Sequence, residues 1–80
     1  MKLSEAVAFR TKEILKQKTM SQYQLEKTST IHHGTMMDLM QGVYKTVNFK
    51  TVMLIIRAFD MKTSEFFNSP VFDDENLDID

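Results

Sequence analysis

The stretch TSTIHHGTMMDLMQG, residues 28 to 42, gathers the side chains with the most chemical capacity in the chain: His32 and His33, then Gly34, Met37 and Asp38. Paired histidines first suggest a metal, but adjacent helical residues diverge by ~100° and only one carboxylate stands at a suitable spacing. The chain has no cysteine, which removes thiolate ligands, a thiol nucleophile and any disulfide framework. Catalysis has no better footing. There is no glycine-rich phosphate loop and no Ser, His and Asp set at a workable spacing, and acids concentrate only at the carboxyl end. The residues point to a protein that is not an enzyme and needs no metal or cofactor. His32 reads as a helix cap. His33, Gly34, Met37 and Asp38 read as the outward face of that helix, either plain solvated surface or a surface made to meet a partner.

The elements that must hold this face are helical. From Ser4 to about Lys18, Val7, Thr11, Ile14 and Leu15 recur at spacings of three and four, with Ser4 as N-cap and Phe9 opposite the apolar side. Ser21 and Gln24 form a capping box, and Met20 can staple onto Leu25, so a second helix begins at Gln22 and ends near Thr28. A third helix covers about His33 to Gln41, with Met36 and Leu39 inward and Gly42 taking a left-handed stop. After the loop GVYKTVN, Asn48 caps a helix over Phe49 to Phe59. Phe49, Val52, Met53, Ile55, Ile56 and Phe59 share its broad apolar face, while Leu54 projects away. A short helix near Ser64 to Asn68 brings Phe66 or Phe67 to the core, and Pro70 ends regular structure.

Eighty residues make one domain near the lower size limit for an unstapled core. The longest apolar run, Val52 to Ile56, is far short of the ~20 residues that span a bilayer, so a cytoplasmic protein without a membrane partner is expected. The formal charge of −1 hides an asymmetry: all ten Lys and Arg lie in residues 1 to 70 with six acids, whereas residues 71 to 80 carry five acids and no base. A body of +4 permits a nucleic-acid partner that the average would argue against. The division is therefore a domain over 1 to 70 and an acidic tail over 71 to 80. The tail's interspersed Val71, Phe72, Leu77 and Ile79 suit docking better than pure solvation.

Five helices in this order, with the second and third joined by a short turn, make a helix-turn-helix inside an all-α bundle. Over residues 4 to 68 the chain resembles the lambda-repressor-like, or XRE-type, family. SQYQL is similar to the opening of that family's second helix, TIHHGTMMDLMQG to its recognition helix, and NFKTVMLIIRAFDMKTSEFF to its last two helices. The ending SPVFDDENLDID is similar to those of small regulators of Gram-positive bacteria. Two departures bear on the turn. Glu26 stands where the family usually has alanine, and Thr30 where it usually has glycine, a change costing roughly 1 kcal/mol if the backbone turns left-handed there. Leu15 and Met40 replace an interhelical Arg and Glu pair together, which exchanges a buried ion pair for apolar packing.

The resemblance implies that the third helix lies in the major groove of double-stranded DNA, its amino-terminal residues toward the base edges. His33, Gly34, Met37 and Asp38 are then the base-contacting face. His33 could donate to guanine N7 or O6, Asp38 accept from cytosine N4 or merely orient His33, and Met37 touch a thymine methyl. Gln22 resembles the family's phosphate-contacting glutamine. Tyr44, Lys45 and Thr46 stand in the following loop as further phosphate contacts, Lys45 foremost. Phe9, Leu54 and Phe72 are candidates for a homodimer contact or for seating the tail. The implied function is a transcriptional regulator that occupies an operator. The competing expectation is an interaction module, an antitoxin or adaptor, with DNA binding weak or lost. A small-molecule sensor lacks a second domain to hold its ligand.

Overall fold

The computed structural model describes residues 1–79, so that Asp80, the last acid of the tail, lies outside the described residues. Five α-helices form: α1 (Leu3–Gln17), α2 (Gln22–Ser29), α3 (His33–Gln41), α4 (Phe49–Ala58) and α5 (Thr63–Phe66). Three of them have an N-cap side chain that accepts from the first turn. Ser21 Oγ accepts from the Gln24 amide at 3.1 Å while Gln24 Oε1 accepts from the Ser21 amide at 2.8 Å, closing the expected capping box. His32 Nδ1 accepts from the Gly34 amide at 3.3 Å, and Asn48 Oδ1 from the Thr51 amide at 3.3 Å. No helix among the described residues is long and apolar enough to cross a membrane.

The first helix starts earlier than its sequence suggests. Lys2 is the N-cap, and its amide donates to Glu5 Oε1 at 2.7 Å. Ser4 is thereby the second residue of the helix and buried, and its hydroxyl donates to the Gly42 carbonyl at 3.2 Å. An expected cap is instead a tertiary tie between the start of α1 and the end of α3. Gly42 answers this closeness in two ways. Its φ of +64° is the left-handed conformation that stops α3, and a Cβ there would lie 3.3 Å from both Cα and Cγ of Glu5.

The apolar stripes meet in one core. Ile14 and Leu15 of α1, Leu25 of α2, Met36 and Met40 of α3 and Ile55 of α4 all belong to it. Phe59, just past α4, and Phe66, ending α5, are 1% and 0% exposed, and each such burial is worth roughly 1.5–3 kcal/mol. Leu15 and Met40, the apolar replacements for an ion pair, are both buried there. Thr11 is fully buried with its hydroxyl donating to the Val7 carbonyl at 2.7 Å, so no polar cost is left open.

Two residues of α4 depart from the expected pattern. Phe49 falls on the apolar face by angle but is 71% exposed. It is the first residue of the helix, and helical Cβ atoms lean toward the amino end, so its ring hangs beyond the surface that the later residues bury. Leu54, expected to project outward, is half-buried against the core, because α5 and Met61 return along that side of α4.

Pro70 does not end regular structure. It opens a 3-10 turn over Pro70–Phe72, capped by Ser69, and a second follows at Asp74–Asn76. Phe72 packs its ring 4.9 Å from Phe67 and 6.0 Å from Phe66 between centroids. Beyond it the Asp78 amide donates to the Met1 carbonyl at 2.8 Å, and Lys2 and Asp78 form a parallel bridge. The described part of the tail lies along α1.

A charged side chain completes the frame. Arg10 sends Nε to the Phe66 carbonyl and Nη2 to the Glu65 carbonyl, both at 2.7 Å, and pairs Nη1 with Glu13 at 2.6 Å. The guanidinium thus caps the end of α5, taking the Phe66 carbonyl and sharing the Glu65 carbonyl with the Asn68 amide, which donates to it at 3.3 Å.

Candidate nucleic-acid interface

The turn joining α2 to α3 keeps its tight form without glycine. Thr30 adopts φ +62°, ψ +17°, so the backbone does turn left-handed there. A threonine there bears a steric cost of roughly 1 kcal/mol. Ser29 supports it from behind: buried, it accepts from the Ile31 amide through Oγ at 3.2 Å. Ile31 is buried in turn, which fixes where α3 begins.

Helix α3 presents two sides. Met36, Leu39 and Met40 are buried, whereas His33, Gly34, Met37 and Asp38 are all exposed, Met37 at 42%. The four residues singled out from the sequence therefore share one outward face near the amino end of α3. Gly34 is not required by the fold. A Cβ placed on it would meet only His32 Nδ1 at 3.7 Å, an ordinary contact, and its φ is not left-handed.

The loop after α3 holds Tyr44, Lys45 and Thr46 unequally. Lys45 and Thr46 are exposed, while Tyr44 is half-buried and packs on the core beside a crevice of about 230 Å³ between α3 and the start of α4. Phe9 is 49% exposed on α1. Phe72 is received by Phe66 and Phe67 of its own chain.

The residue that sequence reasoning did not place in the site is Glu26. Its carboxylate, only 11% exposed, accepts from Gln22 Nε2 at 3.0 Å, and both its oxygens lie 2.9 Å from Nδ1 of His33, whose side chain is 64% exposed. The hydrogen bond from Gln22 first, then that from His33 and the charge the two histidine rings carry when protonated, hold the carboxyl below the usual value of 4.5 against the opposing effect of burial. So Gln22, expected to face phosphate, spends one amide hydrogen inside the protein and has one left. Asp38, considered as the group orienting His33, makes no such contact; Glu26 does. The one signal in the sequence was Glu26 itself, an acid where alanine is usual. Its partner lies across a turn, where helical spacing relates nothing.

A family model described as the Cro/C1-type HTH DNA-binding domain matches residues 10–70. No curated protein and no solved structure matches the chain.

Proposed function

The chain belongs to the Cro/C1-type HTH DNA-binding domain family, and from that premise we propose that it binds double-stranded DNA sequence-specifically, in the cytoplasm, and regulates transcription by occupying an operator. The observation that carries this reading is the outward face of α3, where His33, Gly34, Met37 and Asp38 stand together over a buried Met36, Leu39 and Met40. Lys45, Thr46, Tyr44 and the remaining amide hydrogen of Gln22 serve as phosphate anchors on either side. Residues 1 to 70 act as the binding domain, and the five acids of residues 71 to 80 offset the positive body. The protein acts as a homodimer on a two-fold related site, with Phe9 or Leu54 in the contact. It holds DNA and does no chemistry on it.

One observation favours a second reading, a protein-interaction module. An open groove of about 920 Å³ runs between α4 and α5, with Met53, Leu54 and Met61 in its lining and Lys50, Arg57 and Lys62 among its charged residues. None of its lining comes from α2 or α3. Selection of bound sequences from a random duplex pool, with affinity measured at several salt concentrations, separates the two. A palindromic motif and a steep loss of affinity with salt are expected for the regulator. No enriched motif together with a shallow salt dependence overturns it in favour of the interaction module.

A further inference from the structure

The hydrogen-bonding state of His33 follows from what surrounds it. An ionised carboxylate only accepts, and Glu26 is held in that state chiefly by Gln22, so the proton between Glu26 and His33 must sit on Nδ1 of the ring. In the neutral ring Nε2 then carries a lone pair. The neighbouring histidine is fixed the other way: His32 Nδ1 accepts from the Gly34 amide, which leaves the proton on its Nε2. Two consecutive histidines thus hold opposite tautomers, each set by a different partner. Only His33 lies on the proposed reading face with Met37 and Asp38.

We propose that Glu26 is a positioning residue that turns Nε2 of neutral His33 outward as an acceptor, so that His33 reads an exocyclic amino group, cytosine N4 or adenine N6, in the major groove. The proposal rests on the reading of α3 as the groove helix. It replaces the expectation that His33 donates to guanine, because guanine N7 and O6 offer only lone pairs to a nitrogen that has no proton to give. Geometry adds a restraint on direction. The ring is gripped at Nδ1 by both oxygens of a largely buried carboxylate, and that carboxylate is itself gripped by Gln22 one helical turn back. The ring of His33 therefore meets a base edge with little freedom left to lose. Glu26 places a negative charge near the DNA at the same time, so its contribution is to selectivity and not to general affinity.

Nitrogen-detected NMR of the full chain without DNA, at neutral pH, tests the positioning. We expect the Nδ1–H tautomer for His33 and the Nε2–H tautomer for His32, and in Glu26→Ala a shift of His33 alone toward the mixture of a free imidazole. An Nε2–H or doubly protonated His33 ring in the unaltered protein overturns the proposal whatever the DNA results show. Selection from a random duplex pool tests the reading. One cytosine or adenine position per half-site is expected to lose about 5-fold or more of its preference in both His33→Ala and Glu26→Ala. Affinity of Glu26→Ala for random duplex should stay level or rise, whereas a merely structural role for Glu26 would lower cognate and random binding together. Glu26→Asp, which keeps the acceptor, should restore part of the preference. A preference untouched by His33→Ala overturns the base contact while leaving the tautomer assignment standing. An unaltered protein that selects no motif at all defeats the DNA reading, and with it this use of His33.

Discussion

Arg10 and Glu26 are equally withdrawn from solvent, each with a side chain 11% exposed, and both hold two segments of the chain together through charged hydrogen bonds. Arg10 ties α1 to main-chain carbonyls at the end of α5. Glu26 ties α2 to a side chain at the start of α3 that remains 64% exposed. The first arrangement ends in backbone and can only serve the fold. The second ends in an exposed ring whose other nitrogen makes no hydrogen bond within the protein, and so it is able to serve recognition. Equal burial of charge is therefore no guide to role. What matters is whether the partner of the buried group keeps any hydrogen-bonding capacity for something else.

The largest expected effect is on the Arg10 side of this contrast. Arg10→Ala leaves the Phe66 carbonyl and Glu13 without their donor and the Glu65 carbonyl with only the Asn68 amide, and should lower unfolding free energy by about 3 kcal/mol. In a domain of this size that is a fall in Tm of more than about 10 °C, read by calorimetry or circular dichroism. The selected DNA motif of the folded fraction should not change; an altered motif would give Arg10 a part in recognition and break the contrast. Lys45→Glu probes a charge that is neither buried nor paired. It should leave the urea midpoint in place, weaken cognate and random duplex alike by about tenfold, and reduce the salt slope by about one or more. Loss on the cognate site alone would refute a phosphate contact.

Gly34→Ala sharpens the recognition side, because the fold gives that glycine no reason. Stability should rise by roughly 0.5 kcal/mol, the lower end of the usual gain, while DNA affinity falls as a methyl group enters the approach path. A gain in stability with unchanged affinity would mean that no partner comes close at Gly34. The smallest effect concerns acid. Because the carboxyl of Glu26 titrates lower folded than unfolded, its contribution is fully present above the ordinary value of 4.5 and is lost as pH falls through the lowered value. Urea midpoints of the unaltered protein should therefore fall slightly more than those of Glu26→Gln on acidification below 4.5. Parallel curves would show that Glu26 is not held by Gln22 and His33 in solution.

Features set by a few adjacent residues were legible in the sequence. The Ser21 and Gln24 capping box, the His32 and Asn48 caps and the left-handed stop at Gly42 each involve groups at most four positions apart. The outward face of α3 was legible for the same reason, since Met36 and Leu39 fix its opposite side. What failed depended on a second element. Ser4 is a sound cap by type, but the carbonyl of Gly42, 38 residues on, takes its hydroxyl. Phe49 follows the apolar period yet sits where α4 has not begun to be covered. Arg10 could not be foreseen because its principal partners are backbone carbonyls, which no residue type announces. Docking of the tail was legible in Val71, Phe72, Leu77 and Ile79, but the 3-10 turns after Pro70 were not, because the cluster that seats Phe72 on Phe66 and Phe67 forms only across elements. Glu26 was noticed as a departure, but its tie to His33 crosses a left-handed turn that no periodicity describes.

The reach of Arg10 also sets a timetable for the protein's birth. Its guanidinium waits for carbonyls that lie 55 and 56 residues further along the chain. At ribosomal speeds of about 5–20 residues per second, the interval between making the arginine and making its partners is roughly 3 to 11 s. The segments of α1 and α3 that Ser4 and Gly42 tie together are both made before the carbonyls that Arg10 needs. Until then the guanidinium has none of its α5 partners, and Phe66, fully buried in the folded protein, is not there to cover the core. A chaperone that recognises apolar surface has its opportunity then, and the withdrawal of Arg10 from water marks when that opportunity ends.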